Sequence, residues 1–564
     1  MHPSAAEQGK APRHYRFWPR GLPHALGFPA TSLYCNLEVS AARYPDKPLM
    51  FFYDAALTYA QTKAHTDALA AFLQQRCGVQ RGDRVLLFMQ NSPQFVIGYY
   101  ACLRADAMVV PVNPMNLTEE LRHYVADSGA TVALCGQELY PQLAPLLGER
   151  LKHAIIAAYR DYLTARTDLD VPDAVRAPRQ AIEHSGATLW HQAIEAGLRP
   201  GPHLAGPDDL CVMPYTSGTT GRPKGCIHTQ ATVMSTVVIG AHWGGGHQHN
   251  MILGTLPMFH VTGMQGSMNI PIYAGASVVM MTRWDRSLAA RLIERYRVDG
   301  WTNIATMAID FLANPELGRY DLSSLQRIGG GGAAMPEAVA QRLKDLTGLD
   351  YVEGYGLSET IGPTHINPSG HPRKQCLGIP VCNTDARVIN PDTLRELGPG
   401  EVGEIVCSGP QIFKGYWNNP EASADCFLQL DGKQFFRTGD LGRYDEDGYF
   451  FIVDRLKRMI NASGYKVWPA EVESIMYGHP DVQEACVVGA IDAHRGETVK
   501  AVVVLKAGSQ GKVSPEELIG WCRSHMAAYK IPRVIEFVQS LPRSATGKVQ
   551  WRLLQEGEMV KTRI

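Results

Sequence analysis

Apolar positions between residues 36 and 135 alternate between two spacings. Residues 36–43 and 60–75 carry apolar side chains three and four apart, the helical period, whereas 84–89 (RVLLFM) is a short unbroken run of β character. The same reading predicts a helix over 95–103, a strand over 109–112 closed by Pro114, a helix over Thr118–Ser128 and a strand over 131–135. Strands alternating with helices predict an α/β layered domain with parallel sheets. Patterning weakens over 141–207, where prolines recur, and predicts surface connections with one helix near 189–196. Alternation resumes from 210 to about 346. Beyond Gly378, β-like runs at 386–389, 403–407 and 449–453 lie between Gly and Pro turns and predict a β-rich subdomain. Helices at 469–477 and 515–526 and strands at 482–489 and 498–505 then predict a small α+β module. The expected organisation is an N-terminal arm (1–35), a large domain (36–453, with the β-rich part at about 378–453), a hinge (454–457) and a small C-terminal domain (458–564).

Length and composition narrow the class. A chain of 564 residues exceeds one hydrophobic core. A formal charge of −1 gives no overall field pointing to nucleic acid or to solvated disorder. No pair of the 12 cysteines has C-x-x-C spacing, which argues against zinc ribbons and thioredoxin-like chemistry. Scattered thiols in a long chain fit a reduced, cytoplasmic enzyme. The first thirty residues hold Lys10, Arg13, Arg16 and Arg20 but no apolar run, so a secretory signal is not expected; an extended surface arm is. From Gly225 to Thr282 there is no Asp, Glu, Lys or Arg, yet polar residues, Pro271 and many glycines interrupt the stretch. It reads as protein interior rather than a membrane span, and suits an apolar substrate tunnel.

The strongest chemical signal is Tyr215-Thr-Ser-Gly-Thr-Thr-Gly-Arg-Pro-Lys-Gly225. Gly218 and Gly221 permit close backbone approach to phosphate oxygens; Thr216, Ser217, Thr219 and Thr220 add hydroxyls, and Lys224 adds charge. Gly225 follows the lysine where a Walker A loop has Ser or Thr, so this is a different phosphate loop.

With this loop the chain resembles the adenylate-forming superfamily of acyl-CoA synthetases, beetle luciferases and peptide-synthetase adenylation domains, over about 36–554 and with the motifs in the family's order. The resemblance implies a mobile C-terminal domain and the following roles. Gly331-Gly332-Ala333 resembles the adenine-side loop. Gly354-Tyr355-Gly356-Leu357-Ser358-Glu359-Thr360 resembles the second nucleotide motif: Tyr355 would stack on adenine, Ser358 or Thr360 would touch the α-phosphate, and Glu359 would bind Mg²⁺. Asp440, in Arg437-Thr-Gly-Asp-Leu441, would accept hydrogen bonds from the ribose hydroxyls. Arg455 would reach the nucleotide and Lys457 would be the hinge pivot. Lys548, in Pro542-Arg-Ser-Ala-Thr-Gly-Lys548, would contact carboxylate and α-phosphate during adenylation. The segment containing Ser463, Gly464 and Tyr465 would enter the site for the second half-reaction, when coenzyme A attacks. Lys548, Glu359, Thr216 and His260 form the catalytic set so implied.

Pro257-Met-Phe-His260 resembles the motif opening the acyl pocket. No acid stands near it to hold a substrate amine, which disfavours amino acids. Candidate pocket walls are Met234, Val238, His260, Val261, Gly263, Met264, Trp301, Thr306, Gly330 and Leu357; none is Asp, Glu, Lys or Arg, favouring an apolar tail. The expectation is an acyl-CoA synthetase using ATP, CoA and Mg²⁺. A medium- or long-chain fatty acid comes first; an aryl or other small hydrophobic acid, or an acyl-AMP ligase loading a carrier protein, is the alternative. Nothing points to nucleic acid or a transmembrane segment. The sequence leaves open a homodimer and peripheral membrane contact. Two departures from relatives stand out: Ala305-Thr306 where Pro-Thr is common, and Asp106 where Gly is usual, the latter expected to act only locally.

Overall fold

The computed structural model describes residues 12–216, 223–332, 334–455, 458–462, 465–492, 496–543 and 549–561. The chain divides into two compact units, residues 1–386 with 407–436, and residues 387–406 with 437–564.

The larger unit is built on two sheets. The seven-stranded one runs His228–Thr229, Leu210–Val212, Met108–Pro111, Arg84–Phe88, Val132–Gly136, His153–Ala157, Ala187–Leu189. It is parallel except for its first, antiparallel edge pair. The nine-stranded one has a parallel centre (Tyr351–Leu357, Arg327–Gly331, Gly300–Asn303, Met251–Gly254, Ser277–Met280, Pro48–Phe52) flanked by antiparallel edges. This is the predicted α/β class. In the seven-stranded sheet the inner strands Met108–Pro111, Arg84–Phe88 and Val132–Gly136 are Val- and Leu-rich and almost wholly buried, as expected of parallel strands covered on both faces. Helix Pro93–Arg104 is buried along residues 93–103, so it has no polar face. It starts where Ser92 accepts the Phe95 N–H, with Pro93 in the first turn. Helix Tyr59–Gln75 starts on a capping box of Thr58 and Gln61.

Three features depart from the sequence pattern. Strands His153–Ala157 and Ala187–Leu189 lie inside the region that reads as surface connection; they are too short to show a period, and neighbouring strands define them. The arm is not simply extended: Arg13–Phe17 forms a 3₁₀ turn, and Trp18, Leu22, Leu26 and Phe28 pack with Ile239, Trp243, Val381 and Cys382. Asp106 sits in the left-handed region (φ +59°), a conformation that glycine adopts without strain. Its carboxylate accepts the N–H groups of Leu204 and Ala205 and lies 2.6 Å from His203 Nδ1; His203 Nε2 is 2.5 Å from Ser32 Oγ.

In the smaller unit the latter part of strand Lys433–Tyr444 pairs antiparallel with Phe450–Arg455. A further sheet orders Tyr465–Val467, Ile460–Ala462, Gly496–Leu505 and Val482–Asp492, with Val534–Phe537 parallel to Gly496–Leu505. Helices Pro469–Met476 and Pro515–His525 cover it, and Trp551–Lys561 packs on Val482–Asp492. Among the described residues no helix is long and apolar enough to cross a membrane. Most of the uncharged stretch after Gly225 is interior, with helix Gln230–Trp243 largely buried, but Gly244–His247 and His249 are exposed.

Candidate active site

The Gly/Thr loop is held at its base. Thr216 pairs antiparallel with Lys224, and Tyr215 with Gly225. Ser217, Gly218, Thr219, Thr220 and Gly221, the loop itself, lie outside the described residues. The strand continuing from Lys224 is anchored by the Trp417 N–H on the Gly225 carbonyl (2.8 Å) and the Lys414 N–H on the Ile227 carbonyl (2.9 Å). Lys224 Nζ lies 5.1 Å from the centroid of the Tyr416 ring.

Glycines bring the two nucleotide motifs side by side. Gly331 and Gly354 are register partners on adjacent parallel strands. A Cβ on Gly331 would lie 2.4 Å from the Gly354 carbonyl oxygen, and one on Gly356 would lie 2.1 Å from that of Gly362. Gly332 follows with φ +87°. Ala333 lies outside the described residues. Tyr355 is buried, its ring 5.7 Å from His365.

Ser358, Glu359 and Thr360 form a 3₁₀ turn at the end of strand Tyr351–Leu357. The Thr360 hydroxyl accepts the Leu357 N–H (2.8 Å) and lies 2.6 Å from the Gly362 carbonyl, so the turn itself uses it. Ser358 is less enclosed. Its carbonyl accepts from Nε2–H of His228 at 2.8 Å, which fixes that tautomer. Burial lowers the His228 pKa to about 4, so the ring is neutral near pH 7. Glu359 is buried (7% exposed) and accepts from the Tyr416 hydroxyl at 2.8 Å. Burial, and then the Glu359 charge, push the Tyr416 pKa up. No group of three or more His, Cys, Asp or Glu able to hold a metal occurs among the described residues. One carboxylate is nonetheless a fitting protein contribution for Mg²⁺, which keeps waters and takes phosphate oxygens for its other positions. His228 and Tyr416 escape the motif reading. Their signals are faint: a His four residues after Lys224, and a Tyr after Gly415.

His260 caps a short helical turn, Val261–Met264, with Nδ1 3.4 Å from the Thr262 N–H. Its loop is fixed by Asn91, whose amide donates to the Leu256 carbonyl (2.9 Å) and whose Oδ1 accepts the Met258 N–H (2.8 Å). Of the candidate walls, Met234, Val238, Met264 and Trp301 are core; Trp301 stacks on Trp284 at 5.8 Å. His260, Gly330 and Leu357 are half-buried and Thr306 is exposed.

In the smaller unit Asp440 is buried and sits opposite Arg455 on the paired strands. The turn before it is organised by Glu404, also buried, which accepts from Arg437 (2.6 and 3.0 Å) and from the Gly439 N–H (3.1 Å). Sequence reading passes over Glu404, because its partners lie more than thirty residues away. Asp454 accepts the Ala470 N–H (2.7 Å) at the start of helix Pro469–Met476. Tyr465 pairs with Ala462 on adjacent antiparallel strands; Ser463, Gly464, Lys457 and Lys548 lie outside the described residues.

Two helix-covered, largely parallel sheets with glycine-rich strand ends define an α/β fold. The family model described as "AMP-binding enzyme" matches residues 37–417, and "AMP-binding enzyme C-terminal domain" matches 471–548. The chain belongs to the AMP-binding enzyme family and is an acid–thiol ligase. It is similar to a long-chain-fatty-acid–CoA ligase of Bacillus subtilis (37% identical over 96% of this chain and 97% of the relative). It is also similar to a feruloyl-CoA synthase of an Amycolatopsis species (34%, over 88% and 92%). Among solved structures, the anthranilate CoA ligase AuaEII with anthranoyl-AMP superposes with TM-score 0.82 at 26% identity, over 96% of this chain and 99% of that one.

Proposed function

We propose that this chain joins a long-chain fatty acid to coenzyme A through an acyl-adenylate. The observation that carries the choice of acid is the near full-length similarity to the Bacillus subtilis long-chain enzyme. The uncharged acyl-side segment and its apolar candidate walls agree with it.

In the first half-reaction a carboxylate oxygen attacks the α-phosphorus of ATP and pyrophosphate leaves. Thr216 and the loop to Gly221 grip the phosphates, and Lys224 adds charge at their base. Tyr355 and the glycines Gly331, Gly332, Gly354 and Gly356 receive adenine. Ser358 takes the α-phosphate contact, since the Thr360 hydroxyl is bonded within its own turn. Asp440 holds the ribose, and Arg455 reaches the nucleotide. A Mg²⁺ ion beside Glu359 would supply charge neutralisation on the departing phosphates. Lys548 stabilises the charge that builds on carboxylate and phosphate. His260 shapes the entrance to the acyl pocket. In the second half-reaction, after rotation about Lys457, the segment of Ser463, Gly464 and Tyr465 faces the site. The thiolate of coenzyme A attacks the acyl carbonyl and AMP leaves. All twelve cysteines are free, nine of them buried, which supports work in the reducing cytoplasm.

The test is pyrophosphate release across C2 to C18 fatty acids, ferulate, benzoate and anthranilate. C12–C18 acids should give kcat/KM at least tenfold above every aryl acid, since each buried methylene is worth about 0.8 kcal/mol. Faster turnover of ferulate or anthranilate would favour the second reading, an aryl acid–CoA ligase, which the feruloyl-CoA synthase similarity supports. AMP release that ignores CoA would instead point to carrier-protein loading.

A further inference from the structure

The turn bearing Glu359 is braced by a segment outside the nucleotide motifs, Phe413–Trp417. The Phe413 N–H donates to the Glu359 carbonyl (2.9 Å), and Tyr416 forms an antiparallel bridge with Cys226, two residues after Lys224. The Tyr416 backbone is itself pinned, its N–H donating to Ser423 Oγ (2.9 Å). From this fixed base the Tyr416 side chain reaches two groups at once. Its hydroxyl donates to Glu359 Oε1 at 2.8 Å, and its ring centroid is 5.1 Å from Lys224 Nζ. The only carboxylate assigned to the cation and the lysine at the base of the phosphate loop thus share one rigid neighbour.

We propose that Tyr416 is a positioning residue for the divalent cation of the nucleotide site: its hydroxyl sets the orientation in which Glu359 presents its carboxylate to metal-bound ATP. This rests on the reading of Glu359 as the cation's carboxylate. Mg²⁺ tolerates little deviation from octahedral geometry and takes few protein ligands, so the orientation of a single carboxylate matters. Hydrogen bonds to metal-ligating groups typically change metal affinity 10–100-fold. A plain stability role would behave differently, because losing the hydroxyl would then weaken the fold or the whole pocket irrespective of metal.

Tyr416→Phe removes the hydroxyl and keeps the ring beside Lys224. Mn²⁺, a paramagnetic stand-in for Mg²⁺, is titrated against the full-length protein with saturating ATP and followed by electron paramagnetic resonance. ATP binding in EDTA and thermal unfolding without ligand are measured in parallel, with Glu359→Gln as the reference. The expected result for Tyr416→Phe is an about tenfold weaker Mn²⁺ affinity, with metal-free ATP affinity within about twofold of wild type and an unchanged Tm. Unchanged Mn²⁺ affinity in Tyr416→Phe while Glu359→Gln is impaired overturns the inference alone. So does an equal loss of metal-free ATP binding. Wild-type Mn²⁺ affinity in Glu359→Gln overturns the assignment of the cation to Glu359, and this inference with it.

Discussion

His228 illustrates how a single buried side chain becomes sensitive to pH. Burial lowers its folded-state pKa to about 4, below the ordinary 6.5. Between those values the unfolded chain binds a proton that the folded chain does not, so this group's contribution is present above pH 6.5 and is lost as pH falls toward 4. At pH 5 the loss is roughly 2 kcal/mol. A His228→Gln variant keeps an amide donor for the Ser358 carbonyl but cannot titrate. Denaturant unfolding at pH 7.5 and 5.0 should show its stability deficit shrinking by about that amount at the lower pH. A constant deficit would mean that His228 is not held neutral.

At the scale of elements, turns and strand ends decide what is presented to the site. The turn joining helix Pro93–Arg104 to strand Met108–Pro111 passes through Asp106 at φ +59°, where an L-residue stores about 1 kcal/mol of strain. Its carboxylate offsets this by accepting from Leu204 and Ala205 and pairing with His203, so the turn and the connection before strand Leu210–Val212 are tied together. Asp106→Gly relieves the strain and loses the bonds, a net cost of about 2 kcal/mol; Asp106→Ala loses the bonds and keeps the strain, costing about 3 kcal/mol. The order wild type, Gly, Ala in urea midpoints would establish this. A glycine variant as stable as wild type would show that the carboxylate contributes nothing. Elements with a long period were legible: the helix Thr118–Ser128 has the bounds that the pattern predicts, and the strands 84–89 and 109–112 shift by a residue or so. His153–Ala157 was not, because five residues, four of them apolar, have no period of their own and become a strand only between two others.

For the whole molecule, the proposed cycle assigns the two half-reactions to different parts of the smaller unit. Lys548→Ala should lower oleate-dependent pyrophosphate–ATP exchange at least 100-fold, the scale of removing one electrostatic catalytic group. Thioester formation from chemically prepared oleoyl-adenylate and CoA should stay within about threefold of wild type, since that lysine's task is then already complete. Equal losses in both assays would overturn the division of labour. The motifs of the proposed site could be read locally: Thr216–Lys224, Gly354–Thr360 and Arg437–Leu441 each fall within a dozen residues. Their supports could not, since His228, Tyr416 and Glu404 reach their partners across 130, 57 and 33 residues respectively.

The amino-acid order by itself determined the α/β class, the family and the glycine–threonine loop, because hydrophobic period and backbone permissiveness act between near neighbours. Only the tertiary structure decided which polar groups are committed elsewhere. Thr360 spends its hydroxyl on its own turn, and the Glu359 carboxylate accepts from a tyrosine in a distant connecting segment. Burial and hydrogen bonding between remote segments are properties of the folded chain, and they set charge, tautomer and orientation at the site.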